Sequence, residues 1–179
     1  SSMCQYSARD GLIDDYHLAH YGALALGGAG LVMTEMTDIS ADGRITPGCA
    51  GLYTQEHAAA WRRVTEFVHT QTGAKIGAQI AHAGRKGSTQ NTWDGPDVPL
   101  AAERAWELLA PSAIAWAPGF ATPRVMDEAD MDGFFLPLAC GNKVKISQGN
   151  NDGFSHTGQS AYAFDFSVGL NTPLVAIAD

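Results

Sequence analysis

An alternation of apolar strands and amphipathic helices restricts the architecture that this chain can adopt. Residues 30–34 and 74–80 form short apolar segments, which are typical of strands buried on both faces. Each segment follows a helical pattern, and residues 1–6 have the character of the end of an earlier strand. The order strand, helix, strand, helix, strand predicts a parallel α/β sheet with right-handed crossovers.

Capping residues and apolar spacing predict where the two helices lie. The first is expected over residues 15–27, with Asp14 or Asp15 as its N-cap and Gly27 at its end. Its apolar positions are Leu18, Tyr21, Leu24 and Ala25. The second is expected to begin after Thr54 and to end before Gly73. Its apolar stripe consists of Ala58, Trp61, Val64 and Val68.

Chemically distinctive residues follow three of the predicted strands. They are Met-Cys-Gln-Tyr at residues 3–6, Thr-Glu-Met-Thr at residues 34–37, and the polar segment at residues 79–86. In a parallel α/β barrel, the carboxyl ends of the strands and the loops after them form the active site. We therefore expect the three segments to border one shared site.

These segments, together with Gly-Arg-Ile-Thr-Pro-Gly at residues 43–48, resemble the old yellow enzyme family of flavin-dependent ene-reductases. The resemblance covers roughly residues 1–132. Residues 44–49 and 84–90 are similar to a branch with a cysteine beside the flavin, which includes the reductase part of salicylyl-CoA and anthraniloyl-CoA monooxygenases. The resemblance implies FMN as cofactor and NAD(P)H as electron donor.

The same resemblance implies a (β/α)8 TIM barrel acting on a small-molecule enone or a CoA-linked substrate, with a possible homo-oligomer. Such a barrel usually needs about 250 residues, and this chain has 179. We expect a partial barrel that lacks the later strands and the substrate-binding His pair of the family. Activity in this chain is therefore left open.

The resemblance also implies which residues contact the flavin. The Cys4 thiol would tune the ring, the Gln79 amide would meet its pyrimidine edge, and Met3 and Met36 would add backbone and apolar contacts. From the residues alone, Cys4 is better explained as a small buried hydrophobe, and Gln79 as a surface amide.

Two further residues are candidates for contact with substrate. A hydroxyl near the substrate can supply the proton in ene reduction, and Tyr6 matches that position, which makes it the catalytic candidate. Arg85, next to Lys86, is a candidate for an anionic substrate group. The alternatives are a packed aromatic ring for Tyr6 and a solvated loop pair for Arg85 and Lys86.

The segment at residues 87–124 is rich in prolines that prevent any long helix. A long excursion of this kind on a barrel is usually a lid or a substrate loop.

After about residue 133 the pattern becomes β-rich, with short strands expected at 143–147, 162–166 and 173–177. This part, residues 133–179, resembles the start of a lysostaphin-type zinc endopeptidase domain. The resemblance implies His156 and Asp165 as zinc ligands, with the remaining ligand from a downstream His-x-His that this sequence does not contain. A zinc-dependent cell-wall endopeptidase fragment is therefore the alternative function.

Composition narrows the possible partners. A net charge of −8 provides no basic face for nucleic acid. No apolar run approaches the roughly 20 residues that cross a bilayer, and no leader pattern is present, so we expect a cytoplasmic protein without a membrane partner. Three widely spaced cysteines suit free thiols. His17 and His20 could pair on a metal by their spacing, but no third ligand lies nearby, so we expect them to lie on the helix surface or to pack.

Overall fold

The computed structural model describes residues 2–127, 129–130, 145–148 and 165–167. The helices are α1 (Asp15–Leu26) and α2 (Gln55–Gln71), and a 3-10 turn spans Gly84–Lys86. The strands are β1 (Leu31–Asp38), β2 (Ala50–Gly51), β3 (Lys75–Ala81), β4 (Leu109–Ala110), β5 (Arg124–Val125), β6 (Lys145–Gln148) and β7 (Asp165–Ser167).

The central sheet has the strand order β2-β1-β3, and both pairings are parallel. This arrangement confirms the predicted parallel α/β architecture for the β1-α2-β3 unit. Strand β2 was not predicted, because two residues are too few to show any periodicity. It pairs with the end of β1 through Thr37 and Asp38.

The helix boundaries follow the predicted caps closely. The Asp14 side chain accepts a hydrogen bond from the backbone N–H of Tyr16, and Thr54 accepts one from that of His57. Helix α1 ends at Leu26, with Gly27 as its C-cap. Both caps satisfy N–H groups that would otherwise lack a partner in the first helical turn.

The core lies between the two helices and the sheet. All four predicted apolar positions of α2 are buried there, with Val32 of β1 and Ala74 packed against them. In α1, Tyr21 and Ala25 are buried, whereas Leu24, which shares their helical spacing, is 47% exposed. The polar residue His17 is fully buried instead, which agrees with the packing role expected for it.

Strand β1 is longer than predicted and carries a β-bulge. The prediction ended it at Thr34, whereas residues 34–37 lie inside the strand. Met33 pairs with Gly77 and Met36 with Gln79, so β1 has one extra residue between these pairs. A bulge reverses which face the following side chains occupy. It therefore directs Glu35 toward α1, where Tyr21 hydrogen-bonds to it.

The remaining described strands are short. In the proline-rich segment no helix forms between residues 88 and 124, as predicted, and β4 pairs in parallel with β5. Strands β6 and β7 pair antiparallel and overlap two of the three strands expected after residue 133. The third, at 173–177, lies outside the described residues. Among the residues described, no helix is both long and apolar enough to cross a membrane.

The bulge generates a testable prediction about Tyr21. Its hydroxyl accepts a hydrogen bond from the Glu35 backbone N–H at 2.9 Å and donates one to the Glu35 carboxylate at 3.1 Å. Tyr21→Phe leaves both buried groups without this partner. We expect the free energy of unfolding to fall by roughly 2 to 3 kcal/mol in denaturant titration.

Tyr53→Phe is the matched control, because its hydroxyl donates to the Asp10 carbonyl in an exposed position. It should cost about 1 kcal/mol or less. Equal losses of unfolding free energy in Tyr21→Phe and Tyr53→Phe would contradict the importance assigned to the bulge.

Candidate functional site

The N-terminal segment is anchored at the carboxyl end of the sheet by a buried carboxylate. The Gln5 backbone N–H donates to Glu35 Oε2 at 2.9 Å, and Glu35 is fully buried. His17 Nε2 lies 3.6 Å from Glu35 Oε1. Burial raises the pKa of Glu35 above its ordinary value, while the hydrogen bonds from Gln5 and Tyr21 oppose that rise. Glu35 therefore links β1 and α1 to the segment that carries Cys4 and Tyr6.

Cys4 is half-buried and lies against β1. Its sulfur accepts a hydrogen bond from the Met36 backbone N–H and pairs with the thiol of Cys49. The hydrogen bond from Cys49 is the main cause that lowers the pKa of Cys4, against an opposing effect of burial. Cys4, the thiol predicted to lie beside a flavin, is thus at the same end of β1 as Met36.

Gln79 lies directly across the sheet from Met36. The two residues pair in register between β1 and β3, and the Gln79 backbone N–H donates to Thr34 Oγ1 at 3.0 Å. Its exposed side-chain oxygen accepts a hydrogen bond from the Ser2 hydroxyl at 3.0 Å. Met3, which is 68% exposed, is adjacent to Ser2 in the chain. The structure therefore brings Cys4, Met36 and Gln79 together toward the carboxyl ends of the neighbouring parallel strands β1 and β3, with Met3 next to them in the chain.

Tyr6 is held in an unusual backbone conformation. Its φ of +50° lies in the left-handed region, which a bulky residue rarely adopts unless the surrounding structure imposes it. Thr92 and Cys4 are near enough to its hydroxyl to influence its pKa, and its ring meets Trp93 edge-on at 6.2 Å. Burial, followed by the nearby cysteine thiols, raises the pKa of Tyr6 to about 12. The hydroxyl therefore keeps its proton throughout the neutral pH range.

Arg85 and Lys86 lie on the 3-10 turn after β3, against the ring of Trp116. The Arg85 guanidinium carbon is 5.7 Å and Lys86 Nζ is 4.9 Å from that ring centre. Arg85 also donates to the Ala115 carbonyl, and Lys86 lies 3.3 Å from Asp97. The proline-rich segment thus supplies the ring against which both cations pack.

Two residues that sequence reasoning did not select lie beside these groups. Cys49 is fully buried in the turn after the predicted 43–48 motif. Asp38, at the end of β1, is also fully buried, and neither of its carboxylate oxygens has a hydrogen-bond partner among the described residues. Desolvation raises the pKa of Asp38 to about 10. Only its position at a strand end could have drawn attention to it.

The predicted zinc ligands are not tested by the residues that the structure describes. His156 lies outside the described residues, and for Asp165 only its backbone position in β7 is described. Within the described ranges, no group of three or more metal-ligating side chains occurs.

Solved structures share this fold. Morphinone reductase aligns with 74% of this chain and 36% of its own, at a TM-score of 0.58 and 24% identity. Old Yellow Enzyme from Pichia sp. AKU4542 aligns with 73% of this chain and 34% of its own, at a TM-score of 0.59 and 21% identity. These likenesses imply a TIM-barrel α/β fold, to which the described parallel unit belongs.

The family model of the NADH:flavin oxidoreductase / NADH oxidase family matches residues 1–130, and the chain belongs to that family. An NADH:flavin oxidoreductase of Gibberella zeae is 40% identical over 134 residues, which is 73% of this chain and 32% of the relative. An NADPH dehydrogenase of Bacillus subtilis is 39% identical over 125 residues, which is 69% of this chain and 32% of the relative. The chain thus spans about a third of the length of these relatives.

Asp38 provides a test of the site's electrostatics. With a pKa near 10 in the folded protein and 3.8 as its ordinary value, Asp38 keeps a proton that the unfolded chain releases. The free energy of unfolding should therefore fall as pH rises from about 4 toward 10. Asp38→Asn, measured by denaturant titration across that range, should flatten the slope and stabilise the protein at pH 7 by on the order of 2 kcal/mol.

Asp42→Asn is the matched control with the opposite sign, since His82, whose Nε2 lies 3.7 Å from the Asp42 carboxylate, lowers the pKa of Asp42. It should leave the alkaline slope in place and reduce stability at pH 7. A slope that survives in Asp38→Asn would show that Asp38 is ionised in the folded protein.

Proposed function

We propose that this chain is part of an FMN-dependent NAD(P)H oxidoreductase of the ene-reductase type, which reduces an activated C=C bond. The observation that carries the proposal is the convergence of Cys4, Met36 and Gln79 at the carboxyl ends of β1 and β3. Membership of the flavin oxidoreductase family supports the same chemistry. The fold it implies is a partial (β/α)8 barrel, in which this edge of the sheet is where active sites lie.

The residues at this edge fit an isoalloxazine ring. Gln79 is exposed, and its amide can both donate and accept hydrogen bonds, as the pyrimidine edge of a flavin requires. The half-buried Cys4 thiol offers a weak, polarisable contact, and Met36 and the exposed Met3 offer apolar surface. These four residues would hold FMN, which when bound supplies hydride transfer to a polarised double bond.

Tyr6 is the proposed catalytic residue because it holds a proton beside Cys4. A pKa of about 12 keeps the hydroxyl protonated at neutral pH, so it can donate to the substrate carbon next to the one that is reduced. The left-handed backbone at Tyr6 and the edge contact with Trp93 fix where that hydroxyl lies. Pre-positioning a proton donor in this way is a recognised source of rate acceleration.

The proposed substrate is a small enone or a CoA-linked acid. Arg85 and Lys86 lie together on the turn after β3 and could meet the anionic groups of the latter. The resemblance to the reductase part of salicylyl-CoA and anthraniloyl-CoA monooxygenases supports the CoA-linked option. Homo-oligomer formation and a cytoplasmic location belong to the same proposal.

The names of the relatives support a nicotinamide electron donor. The Bacillus subtilis relative is an NADPH dehydrogenase, and morphinone reductase has been solved in complex with tetrahydroNAD. We propose that residues 1–132 form the flavin-binding part and that residues 133–179 form a separate β-rich segment. The zinc endopeptidase alternative for that segment remains a prediction, with no observation among the described residues that favours it.

The proposal is tested by FMN titration of the purified chain. We expect flavin fluorescence to be quenched on binding, and Gln79→Ala to raise the dissociation constant by about 30-fold, because two hydrogen bonds worth about 1 kcal/mol each are lost. NAD(P)H consumption in the presence of an enone then measures turnover.

Gln71→Ala is the matched control, since Gln71 is an exposed amide at the end of α2, which precedes the amino end of β3, whereas Gln79 lies toward the carboxyl end of that strand. It should leave FMN affinity unchanged. Absence of FMN binding to the wild-type chain, or equal effects of the two variants, would reject the proposed site.

A further inference from the structure

The proposed flavin site uses one of two cysteines that touch each other. The side chains of Cys4 and Cys49 interact, since each shifts the pKa of the other, and both residues are free cysteines. Cys4 is half-buried and can be reached by a small molecule, whereas Cys49 is fully buried behind it. Nothing in the ene-reductase proposal requires the second thiol.

The backbone holds the two cysteines together independently of their side chains. The Ala8 N–H donates to the Gly48 carbonyl at 3.0 Å. Gly48 also packs so closely on the N-terminal segment that a Cβ there would collide with the Tyr6 carbonyl oxygen. The turn that carries Cys49 is closed by a hydrogen bond from the Cys49 N–H to the Thr46 carbonyl at 3.2 Å.

The strand register gives the same placement by a second route. Ala50, the residue after Cys49, pairs with Thr37 across β1 and β2. The neighbour of Thr37 is Met36, whose N–H donates to the Cys4 sulfur. The Ala8–Gly48 hydrogen bond and this register therefore bring the segments that carry the two cysteines together at the end of β1.

We propose that Cys4 and Cys49 form a dithiol site that hydroperoxides oxidise to an intramolecular disulfide. In the first step the Cys4 thiolate attacks one peroxide oxygen of ROOH, the O–O bond breaks, and RO⁻ takes up a proton and leaves as ROH. Cys4 is then a sulfenic acid. In the second step the Cys49 sulfur attacks the Cys4 sulfur, the S–O bond breaks, and the departing hydroxide takes the Cys49 proton to form water.

The reaction balances as two thiols plus ROOH giving a disulfide, ROH and water. The two sulfurs together lose two electrons, and the peroxide gains them. A later thiol–disulfide exchange with a small thiol would restore the dithiol. The oxidation of the two cysteines is therefore reversible.

The environment of each thiol favours this order of attack. The Cys49 hydrogen bond stabilises the Cys4 thiolate and lowers its pKa, and thiolate character with exposure makes a cysteine susceptible to peroxide. The same interaction, with burial, raises the pKa of Cys49, which keeps that thiol protonated until Cys4 has reacted. Cys4 is thus the attacking thiol and Cys49 the resolving one.

The experiment treats the full chain with cumene hydroperoxide, denatures it and blocks the remaining thiols with N-ethylmaleimide before mass spectrometry. Because the chain has three cysteines, we expect one maleimide adduct, on Cys140, instead of three. Trypsin should release residues 1–9 linked to residues 45–62 by a bond that dithiothreitol cleaves. Cys140→Ser should form the same link.

The variant Cys49→Ala tests the proposal by measurements that do not depend on disulfide formation. Without the resolving thiol, Cys4 should accumulate as a sulfenic acid that dimedone traps. Without its hydrogen-bond donor, Cys4 should also react more slowly with maleimide at pH 7 than in the wild-type chain. Circular dichroism establishes that this variant is folded.

Maleimide on both Cys4 and Cys49 after peroxide treatment would overturn the proposal, as would a link from either residue to Cys140. Irreversible oxidation of Cys4 in the wild-type chain with Cys49 still free would also overturn it. These readouts use no flavin, so failure of FMN binding would leave the dithiol proposal standing, and its own failure would leave the ene-reductase proposal standing.

Discussion

The buried carboxylate of Glu35 is the interaction on which the rest of the site depends. One of its oxygens accepts a hydrogen bond from the Gln5 backbone N–H, and the other accepts one from the Tyr21 hydroxyl. Such charge-assisted bonds are stronger than neutral ones, and each satisfies a group that burial would otherwise penalise. The N-terminal segment makes no ladder with β1, so this carboxylate, together with the Ala8–Gly48 backbone hydrogen bond, positions Cys4 and Tyr6 beside the strand ends.

Glu35 reaches that position because β1 bulges. In a regular strand, side chains alternate between the two faces, and Met33 and Glu35 would point the same way. Met33 is 41% exposed and Glu35 is fully buried against α1, which the extra residue between Met33 and Met36 explains. The bulge thus turns the Glu35 carboxylate toward α1 and leaves Met36 paired with Gln79 at the carboxyl end of the sheet. Bulges are over-represented next to active sites for this reason.

Helices, parallel strands and their caps could be predicted from the sequence because each depends on local chemistry. Asp14 and Thr54 cap helices, and the α2 stripe ending at Val68 is buried as its spacing predicts. The exposure of Leu24 could not be predicted, since spacing alone does not show which flank of a helix meets the sheet. Two-residue strands such as β2 have no periodicity to detect.

The site could be predicted only in part, for related reasons. Cys4, Met36 and Gln79 follow or end apolar segments, and the parallel sheet brings them together as expected. The burial of Asp38 and the contact between Cys4 and Cys49 arise from how the 43–49 turn folds back on the N-terminal segment. That contact joins residues far apart in sequence, and no local pattern reports it.

The central claim is that Met36 and Met3 flank a flavin ring at the end of the sheet. Methionine-methyl NMR measures this directly, because the chain contains five methionines and a bound aromatic ring shifts the resonances of methyl groups near it. On addition of FMN, the methyl signals of Met3 and Met36 should move, while that of Met126, on the segment after β5, should not. Unchanged Met3 and Met36 signals under saturating FMN would contradict the account.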